Sequence, residues 1–401
     1  MSKKKILILM KTMNIGGAER SLLGLLNAFD YDNYEVSLKL FHHEGEFLKY
    51  IPKEVNLLAE DLNYSIFEIP IKSLLFTKRF KYAIARILGK LEFNLVAKLI
   101  QNKKDSPWIK QQYANKYIVP LLPKIKGNYA LAINFLGVSD ILIKKVNAKV
   151  KAGWIHTDYN QLVVNKKMDI SVYDKLDYII NVSDDCQKVF LEHYPQFKEK
   201  AVVIENILSQ QLIEEQAKEF LVEKEMPKLA TCINILSIGR FGRAKNFDNI
   251  PEITKKILNK GIHIKWFIIG YGSDEQLLKD KIKLFNIQKN VIMLGKKENP
   301  YPYIKTCDIY IQPSRYEGKA VSVREAQILN KPVVITNFET ASCQLKNGID
   351  GFIVPLDNEA CANGIIDFIN NKKTLNMIID GTKKNSYSNE SEINKIYLFI
   401  K

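Results

Sequence analysis

The sequence predicts an α/β protein of two domains, each built around a mostly parallel sheet. Three observations carry this. The 401 residues exceed what one core usually organises. Apolar, β-rich runs alternate with segments of helical period and with glycine-bearing turns. A polar, charge-mixed run, 209–228, closed by Pro227, separates an earlier series of such units from a later one and reads as a linker. The composition, 46% hydrophobic and 26% charged, is that of a globular chain, with no low-complexity tract and no run that could span a bilayer. The start is basic and then apolar through Met10; it lacks a small-residue cleavage site and reads as a first strand, not a signal peptide. Five widely spaced cysteines without a Cys-x-x-Cys pair point to reduced thiols in a cytoplasmic chain and away from zinc.

The first domain, residues 1–208, opens on a strand ending at Met10, a loop containing Gly16 and Gly17, and a helical stripe of Leu22, Leu23, Leu26 and Phe29. Backbone N–H groups at such a helix start can face a phosphate, aided by the helix dipole. The pattern is neither G-x-G-x-x-G nor a Walker loop, and by itself fits a plain turn equally well. Tyr34–Phe41 and Val55–Leu58 continue the strands.

From residue 72 the charge changes. Residues 72–126 hold thirteen Lys or Arg against two acids, out of a net charge of +15 for the whole chain. Ile84, Leu88, Leu91, Leu95 and Leu99 recur at helical spacing, with Arg79, Arg86 and Lys90 opposite and Lys78 and Lys81 at the border. This basic amphipathic helix is either core-facing with a solvated charged side or seated on an anionic bilayer, where each cation contributes about 1 kcal/mol. Nucleic acid is the weaker partner, since no binding motif or aromatic interleaving accompanies the charge. Trp108 suits an interfacial anchor or a buried ring.

The α/β alternation resumes at Tyr129–Phe135, and His156 and Asp158 follow the next strand at its carboxyl end. Ser183 reads as an N-cap and Ala201–Leu208 as a final strand. The second domain, 229–375, begins with a strand whose following loop carries Arg240, Arg243 and Lys245 beside Gly239 and Gly242, a set that can hold a diphosphate. Gly270, Gly272 and Leu294 are candidate walls for a base. A third unit places Glu317 in a turn after a strand and Glu325 in the helix beyond it, and open α/β sheets bind ligands at such turns. Residues 376–401 are expected to form a tail or helix.

The blocks Gly16-Gly17-Ala-Glu-Arg20, Ser237-Ile-Gly-Arg-Phe-x-x-x-Lys245 and Pro313-Ser-x-x-Glu-Gly-(x)6-Glu325-Ala resemble glycosyltransferase family 4 in order, over nearly the whole chain. Trp154-Ile-His-Thr-Asp158 and Tyr316-Glu-Gly-Lys319 are similar to bacterial capsular and exopolysaccharide transferases. The resemblance implies a GT-B fold, two facing Rossmann-like domains with the active site in the interdomain cleft, the first domain serving the acceptor. It implies retention by front-face attack, with no protein nucleophile.

It further implies that Arg240 and Lys245 hold the donor diphosphate in place of a metal, and that Glu317 grips the donor sugar with the backbone of Gly318, Lys319 and Ala320, Val321 following. Glu325 would hold the ribose, and His156 would stand beside the sugar's reacting face. Lys319 and Ala320 depart from the family's usual aromatic or aliphatic residue and glycine. The implied substrates are a nucleotide sugar, UDP-linked rather than GDP-linked, and a lipid-linked or oligosaccharide acceptor. No cofactor or metal is implied. The expected location is the cytoplasmic face of the plasma membrane, with Lys78, Arg79, Lys81, Arg86 and Lys90 on the membrane side. The alternatives are a nucleotide-sugar 2-epimerase of the same fold and a non-catalytic nucleotide-sugar-binding module at the membrane.

Overall fold

The computed structural model describes residues 3–400 except Glu68, 100–106, 138–139, Asp158 and 318–319, with side chains for all of these but 97–99, 107 and 161. The chain divides into two units, residues 1–207 with 390–401, and residues 208–389.

Unit 1 contains strands β1 (Lys4–Met10), β2 (Tyr34–Leu40), β3 (Asn56–Leu57), β4 (Ile125–Asn134), β5 (Val146–Ile155), β6 (Tyr178–Asn181) and β7 (Ala201–Val203). They pair in parallel in the order β3-β2-β1-β4-β5-β6-β7. Their runs are apolar on both faces, as strands covered by helices on both sides must be. The order reverses between β1 and β4, so the loops leaving these two neighbours diverge and open a crevice at their carboxyl ends.

The basic segment forms the helices Ile71–Leu75, Phe80–Leu99 and Pro107–Ile118. Helix Phe80–Leu99 turns Tyr82, Ala83 and Ala85 into the core beside Leu7, Leu9 and Ile118. A Cβ on Gly89 would lie 2.7 Å from the Tyr113 carbonyl oxygen, so this glycine sets the close approach of the two longer helices. The apolar stripe is therefore not the core-facing side. Ile84, Leu88, Leu91 and Leu95 are exposed, Leu95 at 64%, and Phe76 and Phe80 extend the stripe. The side chain of Leu99 lies outside the described residues. Arg86 also departs from expectation: its guanidinium is half-buried and donates to the carbonyls of Ile66, at 3.0 Å, and Ile69, so it serves the fold and not an outer charged face. Lys78, Lys81 and Lys90 are exposed, and Arg79 is half-buried.

Unit 2 contains β8 (Ile233–Ile238), β9 (Ile264–Ile269), β10 (Val291–Gly295), β11 (Ile309–Gln312), β12 (Val333–Thr336) and β13 (Phe352–Val354), parallel in the order β10-β9-β8-β11-β12-β13. Its switch point lies between β8 and β11. The run 209–228 is not a free connector. It forms the helix Gln210–Gln216, and Ile213, Ala217, Val222 and Met226 are buried in the core of unit 2.

Residues 390–400 return to unit 1. Tyr397 stacks on Tyr34 at 4.3 Å, Phe399 on Tyr178 at 3.9 Å, and Lys4 donates to the Ile400 carbonyl at 2.6 Å. The segment expected as a tail is divided accordingly, its first part staying in unit 2.

Candidate functional site

In unit 2 the loop after β8 and the turn after β11 leave the two strands that flank the switch point, and this brings Lys245 and Glu317 together across 72 residues of sequence. The Lys245 ammonium lies 2.5 Å from Glu317 Oε1, with the side chains 22% and 10% exposed. The methylene stem of Lys245 passes over Gly239, where a Cβ would stand 3.2 Å from three of its carbons. Glu317 Oε1 also accepts from the Ser314 hydroxyl at 2.5 Å and the Gln312 amide at 3.4 Å, and the Glu317 carbonyl accepts from Thr340 Oγ1 at 2.8 Å. The carboxylate is thus aimed before any ligand arrives.

Loop and turn are clasped together by groups the sequence reading did not single out. Arg315 donates to both carboxylate oxygens of Asp248 at 2.8 and 2.9 Å, and its backbone N–H donates to the Ala244 carbonyl at 2.8 Å. Burial pushes the Asp248 carboxyl up, but Arg315 and Lys281 outweigh it and hold it below its ordinary range. The signal was an arginine inside the turn motif and an acid just after the basic loop. Arg240 is exposed on the same loop.

Glu325 is 2% exposed and accepts from the Tyr301 hydroxyl at 2.8 Å, a partner not anticipated. Val321 is the first residue of the helix Val321–Ile328, while the Ala320 N–H donates to Gln344 Oε1 at 3.0 Å and so is already engaged. Gly318 and Lys319 lie outside the described residues. Gly270 and Gly272 have a packing reason: a Cβ on the first would fall 1.9 Å from the Gly239 carbonyl oxygen and on the second 2.1 Å from that of Phe241. Leu294 is half-buried against the core of unit 2.

In unit 1 the Gly16–Gly17 turn opens the helix Gly17–Asn27. The Glu19 carboxylate lies against Gly16, 2.2 Å from where a Cβ would be, and the Ile15 N–H donates to Glu46 at 3.3 Å. Two carboxylates thus lie beside this turn.

His156 follows β5 and packs beside the rings of Phe135 and Trp154, at 4.7 and 5.8 Å. Burial lowers its pKa to about 4 against an opposing hydrogen bond to the Phe135 backbone. The Phe135 N–H donates to Leu9, so the carbonyl is the histidine's partner, and Nε2 is buried with no partner among the described residues. The imidazole is neutral at pH 7 with Nε2 an acceptor. Asp158 lies outside the described residues. Nearby Asp169 is pushed up to about 6 by burial, against hydrogen bonds from Tyr194 and Gln112 at 2.7 and 2.6 Å.

These two groups pull stability in opposite directions with pH. The histidine's depressed pKa contributes stability that is lost as pH falls from 6.5 toward 4, while the aspartate's raised pKa contributes stability that is lost as pH rises from 3.8 toward 6. A His156→Gln variant should therefore gain on the wild type by about 3 kcal/mol between pH 7 and pH 4. Urea unfolding at several pH values reads this; a constant gap between the two proteins would refute it.

Residues 219–385 match the family described as Glycosyl transferases group 1. An uncharacterized glycosyltransferase, MJ1059 of Methanocaldococcus jannaschii, is 26% identical over 168 residues, 42% of this chain and 41% of that protein. The chain is also 25% identical over 361 residues to the Campylobacter jejuni N-acetylgalactosamine-N,N'-diacetylbacillosaminyl-diphospho-undecaprenol 4-alpha-N-acetylgalactosaminyltransferase, covering 89% of this chain and 87% of that one. Among solved structures, Anabaena HepE in complex with UDP and glucose superposes with a TM-score of 0.64 at 16% identity, over 98% of each chain. Fold and matched domain together define the class: residues 219–385 form a domain of the Glycosyl transferases group 1 family, in a chain of the GT-B fold. Its relatives include the Staphylococcus aureus capsular polysaccharide biosynthesis glycosyltransferase CapM, 30% identical over 137 residues, 34% of this chain and 36% of that one.

Proposed function

We propose that the protein is a retaining, family 4 glycosyltransferase that moves a hexose from a UDP-sugar onto a growing glycan on a lipid carrier, at the cytoplasmic face of a membrane. The observation that carries this reading is the Lys245–Glu317 pair, a cation and a carboxylate held side by side at the switch point of a Rossmann-like sheet. A donor presents the matching pair of features, an anionic diphosphate joined to a hydroxyl-bearing sugar. Lys245 with Arg240 takes the diphosphate, Glu317 the sugar hydroxyls, and Glu325 with Tyr301 the ribose.

As the glycosidic bond breaks, negative charge grows on the leaving diphosphate, and the ammonium and guanidinium stabilise it where it forms. That assignment asks for no divalent metal. The acceptor hydroxyl attacks the anomeric carbon on the face the diphosphate leaves, and its proton passes to a departing phosphate oxygen. His156 contributes a neutral imidazole that accepts a hydroxyl hydrogen bond through Nε2.

The UDP and glucose seen with HepE support a uridine donor, and the name of the Campylobacter relative supports a diphospho-undecaprenol acceptor. Membrane seating is supported by the exposed stripe of helix Phe80–Leu99 and the exposed lysines around it. No helix among the described residues is long and apolar enough to cross a membrane.

The test is the purified chain with UDP-hexoses and polyprenyl-diphosphate saccharides, with EDTA present. UDP release and a product that keeps the donor's anomeric configuration are expected. Donor interconversion without acceptor, or binding without turnover, would overturn the reading.

A further inference from the structure

The turn that carries Glu317 is held along its length by one neighbouring segment of unit 2. Thr336, the last residue of β12, donates from Oγ1 to the Ser314 carbonyl at 2.5 Å. Thr340 donates from Oγ1 to the Glu317 carbonyl at 2.8 Å, and Gln344 Oε1 accepts from the Ala320 N–H at 3.0 Å. Three side chains spaced four positions apart thus meet three backbone groups spaced three positions apart. Such a ladder grips the main chain, so it sets the path of the turn whatever side chains the turn carries.

The rungs are shielded from water. Thr336 and Ser314 are fully buried, Ala320 and Gln344 nearly so, and Thr340 is half-buried. Leaving a buried N–H or carbonyl without its partner is strongly unfavourable, and this keeps the turn on its rungs. The segment that bears them is itself fixed. Phe338, Ala341 and Leu345 are buried in the core of unit 2, and the Lys346 N–H donates to the Asp350 carboxylate at 2.7 Å.

Each rung acts on a different part of the candidate site. The Ser314 hydroxyl donates to Glu317 Oε1, so Thr336 steadies a group that aims the carboxylate. Thr340 grips Glu317 directly. Gln344 fixes Ala320, the N-cap of the helix Val321–Ile328 on which Glu325 stands, and an alanine has no side-chain acceptor with which to hold that helix start itself. In the sheet β11 lies between β8 and β12. The ladder therefore reaches the turn from one flank of β11, while the loop with Arg240 and Lys245 leaves the strand on the other.

We propose that Thr336, Thr340 and Gln344 are positioning residues for the donor sugar, holding Glu317 where the sugar hydroxyls meet it and acting through the turn. This rests on the transferase reading above. It adds that recognition of the sugar depends on the segment after β12, whereas recognition of the diphosphate depends on the loop after β8. Changes in the ladder then separate the two halves of the donor.

The test compares the full chain with three variants. Thr340→Val removes the middle rung and keeps its shape, Thr340→Ser keeps the hydroxyl, and Gln344→Leu removes the last rung. Turnover of UDP-hexoses and calorimetric titration of free UDP are measured on each. Thr340→Val and Gln344→Leu should lower kcat about tenfold or more, because small misplacements of a positioned contact are amplified in rate, with UDP affinity within about twofold of the wild type. Thr340→Ser should return kcat to within about threefold of the wild type, since the hydroxyl that makes the bond is restored. Unchanged turnover in both removal variants overturns the proposal. So does a loss of UDP affinity in parallel with turnover, which marks a general loosening of unit 2, or a Thr340→Ser protein as slow as Thr340→Val. If Gln344→Leu fails to fold, the two Thr340 variants decide. A wild type that releases UDP from no UDP-hexose sinks the transferase reading and this one with it; a wild type that turns over, matched by Thr340→Val, leaves that reading standing and sinks this inference alone.

Discussion

Glu317→Gln is expected to lower turnover about a hundredfold or more, the usual effect of removing one oriented contact to a developing charge, yet to hold free UDP more tightly than the wild type does. Lys245→Ala should lower both turnover and UDP affinity. The difference follows from the unliganded ion pair, since Lys245 is already neutralised by Glu317 at 2.5 Å. A diphosphate must draw the ammonium away and leave a nearly buried carboxylate without its partner, an arrangement that is strongly unfavourable. A complete donor offers sugar hydroxyls to that carboxylate; the spent nucleotide offers nothing. Neutralising Glu317 abolishes the competition for Lys245 and with it the penalty on the product. Calorimetric titration of UDP and steady-state rates for both variants check this. Equal weakening of UDP by the two substitutions, or an unchanged rate in either, would contradict it.

The second large effect concerns the bilayer. Leu88→Glu combined with Leu91→Glu should reduce binding to vesicles rich in phosphatidylglycerol by at least about tenfold, because each leucine loses much of the roughly 1.5–3 kcal/mol that full burial contributes. Both side chains are exposed, so the variant should melt where the wild type melts. Changing Lys78, Lys81 and Lys90 to Glu should act on the same equilibrium and be suppressed by salt, each cation being worth about 1 kcal/mol at an anionic surface. Co-sedimentation measures all of this. If sedimentation is unaffected while a dimer is lost, the stripe is a contact between copies and the membrane assignment fails.

The order of strands and helices was legible because both sheets are parallel and their strands are unbroken apolar runs. The residues of the candidate donor site were legible one by one, as charges and glycines at strand ends. Their mutual pairing was not, since nothing local relates Lys245 to Glu317 or Arg315 to Asp248; strand order brings them together. Helix Phe80–Leu99 was legible as an element but not in its rotation. A stripe of period 3.6 looks the same whether it faces a core or a lipid, and the small residues Ala83, Ala85 and Gly89 were the sign of the packed side. Gly270 and Gly272 look the same in sequence whether a ligand or, as here, another backbone comes close.

The return of residues 390–400 to unit 1 bears on how the protein folds as it is made. Domains generally fold as units in the order they leave the ribosome. Here the earlier unit is completed last: the rings of Tyr34 and Tyr178 stack on Tyr397 and Phe399, which are synthesised only after all of unit 2. Unit 2 is one contiguous stretch and can complete its core while unit 1 still lacks its last segment. A nascent chain stalled before residue 390 should then hold a protease-resistant unit 2 beside a looser unit 1, and that interval is when the chain is most exposed to aggregation.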